Sequence, residues 1–198
     1  MKTCSHPTPP ACAEAATRRR RRAPNAVAEA ASAVIAVSAP DFERKLCAPD
    51  TVSARVRCLP RPLVMTNGVF DLLHRGHVTG LAQARALGAS LLVAVNDDAS
   101  ARRLRKGGGR PFNCCDDRMA LLAALTSTDL VTCFDGDDAL AVVDAVQPDI
   151  YVKGGDYDVA ATREGQAVIA HGGRAAALPF VHYTSTSLLA EKIRRSRD

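Results

Sequence analysis

The stretch LVMTNGVFDLLHRGHVTGLAQARAL, residues 63–87, holds three signals in series. The apolar run over 63–66 reads as a short buried strand, and from Val78 to Leu87 apolar residues recur at the spacing of an amphipathic helix. Between them lie two glycines, an aspartate and two histidines. The same order of apolar run, turn and helix recurs down the chain. Further strands are expected over 91–96, 130–134, 150–153 and 175–178, and further helices over 116–126, 138–146, 159–171 and 187–195. Strands alternating with helices imply a parallel sheet covered on both faces, and right-handed crossovers make it doubly wound. The expected fold is therefore α/β, a Rossmann-like five-stranded parallel sheet. In such sheets ligands bind outside the carboxyl ends of the strands, where strand order reverses.

The rest of the chain frames this domain. The 198 residues suffice for one good core plus an appendage. The formal charge of +5 sits mostly in residues 1–40, where Lys2 and the arginine run 18–22 face only Glu14 and Glu29, a net +4. The remainder is nearly neutral, with 20 basic and 19 acidic residues. Residues 1–40 are rich in Ala, Pro and Arg and poor in large apolar side chains, so they are expected to be disordered. Residues 41–60 are read as a lead-in helix, and 61–198 as the α/β domain. The basic start and small-residue end of the tail imitate an export signal, but Glu29 and the many alanines make its middle too polar. Seven cysteines without CxxC pairs or metal-ligand spacing read as free thiols of a reducing, cytoplasmic compartment. Nothing approaches the roughly 18 apolar residues of a membrane span.

The residues that follow the strands are TNGVFDLLHRGH, NDDAS, FDGDD, KGGDYD and, before the last helix, HYTSTS. Asp129 and Asp138 read as ordinary helix caps. The first turn has a different character. Gly68 permits close backbone approach, Asn67 and Asp71 can pin the loop, and Gly76 separates His74 from His77 where a helix begins. Free amides and the helix dipole make that start an anion site, to which imidazoles add charge-assisted hydrogen bonds. With neither GxGxxG nor a Walker lysine motif, a dinucleotide fingerprint and a P-loop are both excluded.

H-x-G-H after a first strand resembles the nucleotidyltransferase superfamily, a pattern shared with class I aminoacyl-tRNA synthetases. The synthetases' KMSKS-like loop and tRNA-binding domain have no counterpart here. TNGVFDLLHRGHV, AVNDDASARRL, GRPFN, DDRMALLAAL, VKGGDY, GGRAAALPF and STSLLAEKIRR, spread over 42–195, further resemble the adenylyltransferases of ADP-heptose synthesis. That resemblance implies transfer of the adenylyl group of ATP to D-glycero-β-D-manno-heptose 1-phosphate, with Mg²⁺, to give ADP-heptose for the lipopolysaccharide inner core. It implies a homodimer, no membrane and no specific nucleic-acid partner. Many relatives carry a fused heptose kinase. This chain has no room for one, so kinase and phosphatase are expected as separate proteins. One departure is the loop Val181, His182, Tyr183, Thr184, where the family commonly has an acidic residue and a glycine. It puts the preference for nucleotide or sugar in question.

Under this reading His77, with His74, meets the triphosphate, helped by amides around Gly68, Val69 and Phe70, while His74 alternatively braces the turn. Asp71 orients the turn or reaches Mg²⁺ through water; no side-chain metal site is assigned. Lys106 and Arg110 are candidates for a mobile loop closing on phosphates, against a plain solvated loop for Lys106. Arg118 stands at a helix start, unfavourable for a cation unless an anion binds there. Lys153 ends a buried strand before Gly154 and Gly155 and needs a partner, either Asp156 or ligand. By resemblance, residues 153–156 belong to the nucleotide and sugar pocket. Asn96 and Asp98 hold heptose hydroxyls, unless Asp98 is only a helix cap. Ser185 and Thr186 touch phosphate. The rival activities are a cytidylyltransferase acting on glycerol 3-phosphate or a related alcohol phosphate and, in another class, nucleic-acid binding through the arginine-rich tail.

Overall fold

The computed structural model describes residues 38–104, 109–156 and 158–196. The compact unit begins at Ala39. The disorder expected for 1–40 and the loop role of Lys106 thus fall almost wholly outside the described residues. Five strands, β1 (Leu63–Gly68), β2 (Ser90–Asn96), β3 (Leu130–Phe134), β4 (Ile150–Gly154) and β5 (Arg174–Leu178), form one parallel sheet in the order β3-β2-β1-β4-β5. The expected fold class is the observed one. The chain winds outward from β1 to β3, then returns to the other side of β1 for β4 and β5. The reversal of strand order therefore falls between β1 and β4.

Period-two alternation along the strands sorts side chains to the two faces. Leu63 and Met65 of β1, with Leu92 and Ala94 of β2, pack on one side against α1 (Val52–Val56), α5 (Leu140–Val146) and α6 (Arg163–Ala170), through Val52, Val143 and Val168. Val64, Leu91, Val93 and Val95 pack on the other against α2 (Arg75–Arg85) and α4 (Cys115–Ala123), through Leu81, Ala84, Met119 and Leu122. Every residue of β2 is buried, as a central parallel strand requires.

Several local expectations are corrected. The lead-in is not a continuous helix: a 3-10 turn over Asp41–Lys45 gives way to extended chain, and α1 spans only Val52–Val56. Pro49 disfavours helix at Ala48 and has no N–H to donate. The extended piece instead caps the β3 edge, with the Cys47 amide donating to Val131 O at 2.9 Å. The helix expected over 159–171 is divided into a 3-10 turn, Val159–Ala161, and α6. Thr162 causes the break, since its hydroxyl accepts from the Gly165 amide at 3.1 Å as the cap of α6. A helix not anticipated, α3 (Asp98–Arg103), follows β2, capped by Asp97 rather than Asp98. Asp129 caps no helix; its Oδ2 accepts from the Leu91 amide at 2.8 Å and from Arg85 Nε at 2.7 Å, tying α2 to the sheet. Asp138 does accept from the Leu140 amide at the start of α5 and also pairs with Arg163.

A Cβ at Gly165 would fall on the Val159 carbonyl, a backbone atom that cannot swing aside. Gly165→Ala is expected to cost about 1 to 3 kcal/mol, a fall of roughly 3 to 9 °C in the unfolding midpoint. A melt within a degree of wild type would show that the 3-10 turn gives way freely.

Candidate active site

The chain leaves β1 at Gly68 and turns sharply. Phe70 sits at φ +49°, a left-handed conformation rare for a bulky residue, and its ring lies over Gly68, where a Cβ would come within 3.1 Å of it. Asp71 is buried, and its Oδ1 accepts from the Phe112 amide at 2.7 Å and the Asn113 amide at 3.1 Å. Asn113 Nδ2 returns a bond to Asp71 O at 3.1 Å. Asp71 thus pins the turn to the GRPFN segment. Its other oxygen, Oδ2, is buried and accepts no hydrogen bond.

His74 is the cap of α2. Its Nδ1 accepts from the His77 amide at 3.4 Å, which puts the ring proton on Nε2, and the Thr184 hydroxyl lies 3.2 Å from the same nitrogen. The two imidazoles stack, with centroids 3.7 Å apart, and Phe70 meets His77 edge-on at 5.3 Å. A Cβ at Gly76 would stand 3.0 Å from the His74 ring and 3.2 Å from Thr184 Oγ1. Any larger residue would push ring and hydroxyl back by a few tenths of an ångström from the helix start.

Burial lowers the pKa of His74 from its ordinary 6.5. The neutral ring is the form that can accept from His77. A depressed pKa means that the unfolded chain takes up the proton first, so this contribution to stability is complete above 6.5 and is lost as pH falls through the folded value. His74→Asn keeps a capping acceptor without titrating there. The variant is expected to lose part of the decline in unfolding midpoint just below pH 6.5; superimposable pH profiles for the two proteins would contradict this.

A second helix start completes the site. Ser185 caps α7 (Thr186–Arg195), accepting from the Leu188 amide at 3.2 Å, and Thr186 Oγ1 donates to Leu72 O at 3.2 Å. Arg110 reaches Ser187 Oγ at 3.3 Å and lies over the Phe112 ring. The starts of α2 and α7 therefore share one cavity of about 430 Å³ at the carboxyl end of β1, with Lys153 and Gly154 of β4 also in its wall. Two helix N-termini in the wall of one cavity are an arrangement able to hold an anion.

The cavity brings together Asn67, Gly68, Val69, Phe70, Asp71, His74, Gly76, His77, Arg110, Lys153, Gly154, Ser185 and Thr186. It does not include Asn96, Asp98, Arg118, Gly155 or Asp156. Lys153 finds its partner in Asn67, through O and Oδ1 both at 2.9 Å, rather than in the exposed Asp156; Tyr151 also donates to Asn67 Oδ1, at 2.7 Å. Asn96 is buried and donates to Ser100 Oγ at 2.8 Å, a bond within the protein rather than one held out to a sugar.

Arg118 is corrected most. It is fully buried and donates to Asn113 O at 3.0 Å, Val69 O at 2.7 Å, Asn96 O at 2.8 Å and Asp98 Oδ1 at 2.8 Å. One guanidinium gathers the loops after β1 and β2 and the lead into α4. This explains its place at a helix start without an external anion, and it occupies Asp98 as well. Missed from sequence were Thr79, Phe180 and Ser187, which also line the cavity. Ser187, in the hydroxyl run that supplied Ser185 and Thr186, was the one with a readable signal.

Residues 65–185 match the family model described as cytidylyltransferase-like. The chain belongs to that family of nucleotidyltransferases. Within it, the chain is 52% identical over 161 residues to the D-beta-D-heptose 1-phosphate adenylyltransferase of Bordetella bronchiseptica, covering 80% of this chain and 99% of that one. It is 54% identical over 136 residues to the bifunctional protein HldE of Alkalilimnicola ehrlichii, covering 69% of this chain and 28% of the relative. The match thus spans little more than a quarter of the bifunctional protein. Among solved structures, the lipopolysaccharide core biosynthesis protein of Thermoplasma volcanium superposes with a TM-score of 0.51 at 30% identity, over 62% of this chain and 98% of that one. Among the described residues, no helix is long and apolar enough to cross a membrane, and no three His, Cys, Asp or Glu residues are placed to hold a metal.

Proposed function

We propose that this chain transfers the adenylyl group of ATP to D-glycero-β-D-manno-heptose 1-phosphate, releasing pyrophosphate and ADP-heptose for the lipopolysaccharide inner core. The observation that carries the reading is the convergence of two capped helix starts and two stacked imidazoles on one cavity. The relative matched over 99% of its length, by its name a heptose 1-phosphate adenylyltransferase, suggests the substrate.

The sugar phosphate is already a nucleophile, so no side chain need abstract a proton or form a covalent intermediate. A phosphate oxygen attacks the α-phosphorus of ATP, a new P–O bond forms, and the bond to the β-phosphate breaks with pyrophosphate carrying away the electron pair. Catalysis then rests on placement and on stabilising charge. His77 and the Nε2–H of His74 donate to the triphosphate, with the amides after Gly68. The start of α7, Thr186 and Arg110 take the remaining phosphate charge. Lys153 acts through Asn67, holding the end of β1 in register with β4. Asp71 Oδ2, buried and accepting no hydrogen bond, suits a water-mediated contact to Mg²⁺ carried on the phosphates. Such an ion would neutralise charge on the leaving pyrophosphate. We further propose that the protein works in the cytoplasm as a homodimer.

The test is pyrophosphate release by the purified chain over ATP and CTP, each with heptose 1-phosphate and glycerol 3-phosphate. Release is expected with ATP and heptose 1-phosphate. Turnover restricted to CTP, or silence with that pair, would overturn the proposal.

A further inference from the structure

The segment between β5 and α7 is hooked to the entry of α2 at two points. Thr186 Oγ1 donates to Leu72 O, and the Thr184 hydroxyl lies 3.2 Å from His74 Nδ1. A tight turn presents that hydroxyl, with the Thr184 amide donating to His182 O at 2.9 Å. His74, His77 and Thr184 all line the same cavity.

His74 Nδ1 therefore faces two donors at once. A neutral imidazole accepts only at its unprotonated nitrogen, through a single in-plane lone pair. The His77 amide, 3.4 Å away, can only donate, so Nδ1 is that nitrogen and the Thr184 hydroxyl donates to it as well. Both contacts are longer than the roughly 3 Å of an unshared bond, as two donors sharing one lone pair require.

We propose that Thr184 is a positioning residue for adenylyl transfer: its hydroxyl keeps hold of His74 Nδ1 while the His77 amide is given over to a phosphate oxygen of the nucleotide. This rests on the reading of the α2 start as the phosphate site. A charged phosphate oxygen is a stronger acceptor than a shared lone pair on a neutral nitrogen, so the amide changes partner when the anion arrives. Thr184 then takes the whole lone pair, and the His74 ring stays anchored with its Nε2–H free to donate. Without the hydroxyl, one amide has to serve both ring and phosphate. Either the anion loses a donor or the ring loses its anchor. Thr184 acts through His74 and not on the reacting atoms.

The test is a double-mutant cycle between Thr184→Val and His74→Ala, with Thr184→Ser as the conservative variant and thermal melts confirming that each protein is folded. The readout is kcat/KM for ATP, and the Kd of α,β-methylene ATP where turnover is too slow to follow. Thr184→Val is expected to lose roughly three- to tenfold, the cost of one neutral hydrogen bond, and Thr184→Ser to match wild type. In the His74→Ala background the valine substitution should cost nothing further. An equal loss in that background, no loss in Thr184→Val alone, or failure of serine to restore function would each overturn the proposal. The underlying reading has its own check: the wild-type His77 amide resonance is expected to shift when α,β-methylene ATP binds. An unmoved resonance would sink the phosphate site and this proposal together, whereas a shifted one with no coupling in the cycle would sink the role of Thr184 alone.

Discussion

Replacing His77 with alanine is expected to lower kcat for pyrophosphate release by roughly two to three orders of magnitude, the cost of removing one preorganised donor to developing charge. The variant should fold normally. The His77 amide still donates to His74 Nδ1, so the cap of α2 survives without the imidazole. What goes is a ring stacked 3.7 Å from His74 in the wall of the cavity. If the ring serves the transition state alone, kcat and kcat/KM fall together and the KM for ATP changes little. A rise in KM at unchanged kcat would reassign His77 to ground-state binding, and near-normal kinetics would remove it from the phosphate site altogether.

The second large effect falls on stability. Arg118→Met fills similar space without donors, leaving the carbonyls of Val69, Asn96 and Asn113 and the Asp98 carboxylate without their shared partner. Removing one member of a buried ionic cluster costs about 3 to 5 kcal/mol, because the groups left behind stay desolvated and unpaired. For a domain of this size the unfolding midpoint is expected to fall by roughly 10 °C. Arg118→Lys should recover little, since one ammonium cannot span four acceptors held by a planar fork. A lysine variant melting with wild type would show that charge alone suffices. Arg118 also braces Val69 in the turn proposed to hold nucleotide, so any Met variant that remains folded should bind ATP more weakly.

The limits of reading this chain one-dimensionally are clear at these same residues. Arg118 carried a true signal, a cation at the unfavourable end of a helix, but sequence offered only an external anion to explain it. The answer was three carbonyls and a carboxylate from segments about 5 to 50 residues away, a convergence with no local trace. Lys153 was similar. Its need for a partner was plain from a buried strand end, yet the partner was Asn67 on the neighbouring strand rather than the nearby Asp156. Asp98 and Asn96 read as ligand residues because short polar side chains look alike whether they face a ligand or another loop.

The strands and their parallel arrangement follow from sequence alone. Apolar runs alternating with amphipathic helices leave few ways to bury both faces of a sheet, and all five strands begin and end within two residues of the expected bounds, with β3 matching outright. The turn after β1 was equally readable as a structure, because glycines, a capping side chain and a helix start are local devices that act within a few residues of one another. Tertiary structure alone decided which polar groups at the strand ends were left for a ligand. Hydrogen-bonding capacity is finite, and whether Arg118, Asn96 or Asp98 has any to offer depends on which distant carbonyls and carboxylates folding brings within 3 Å.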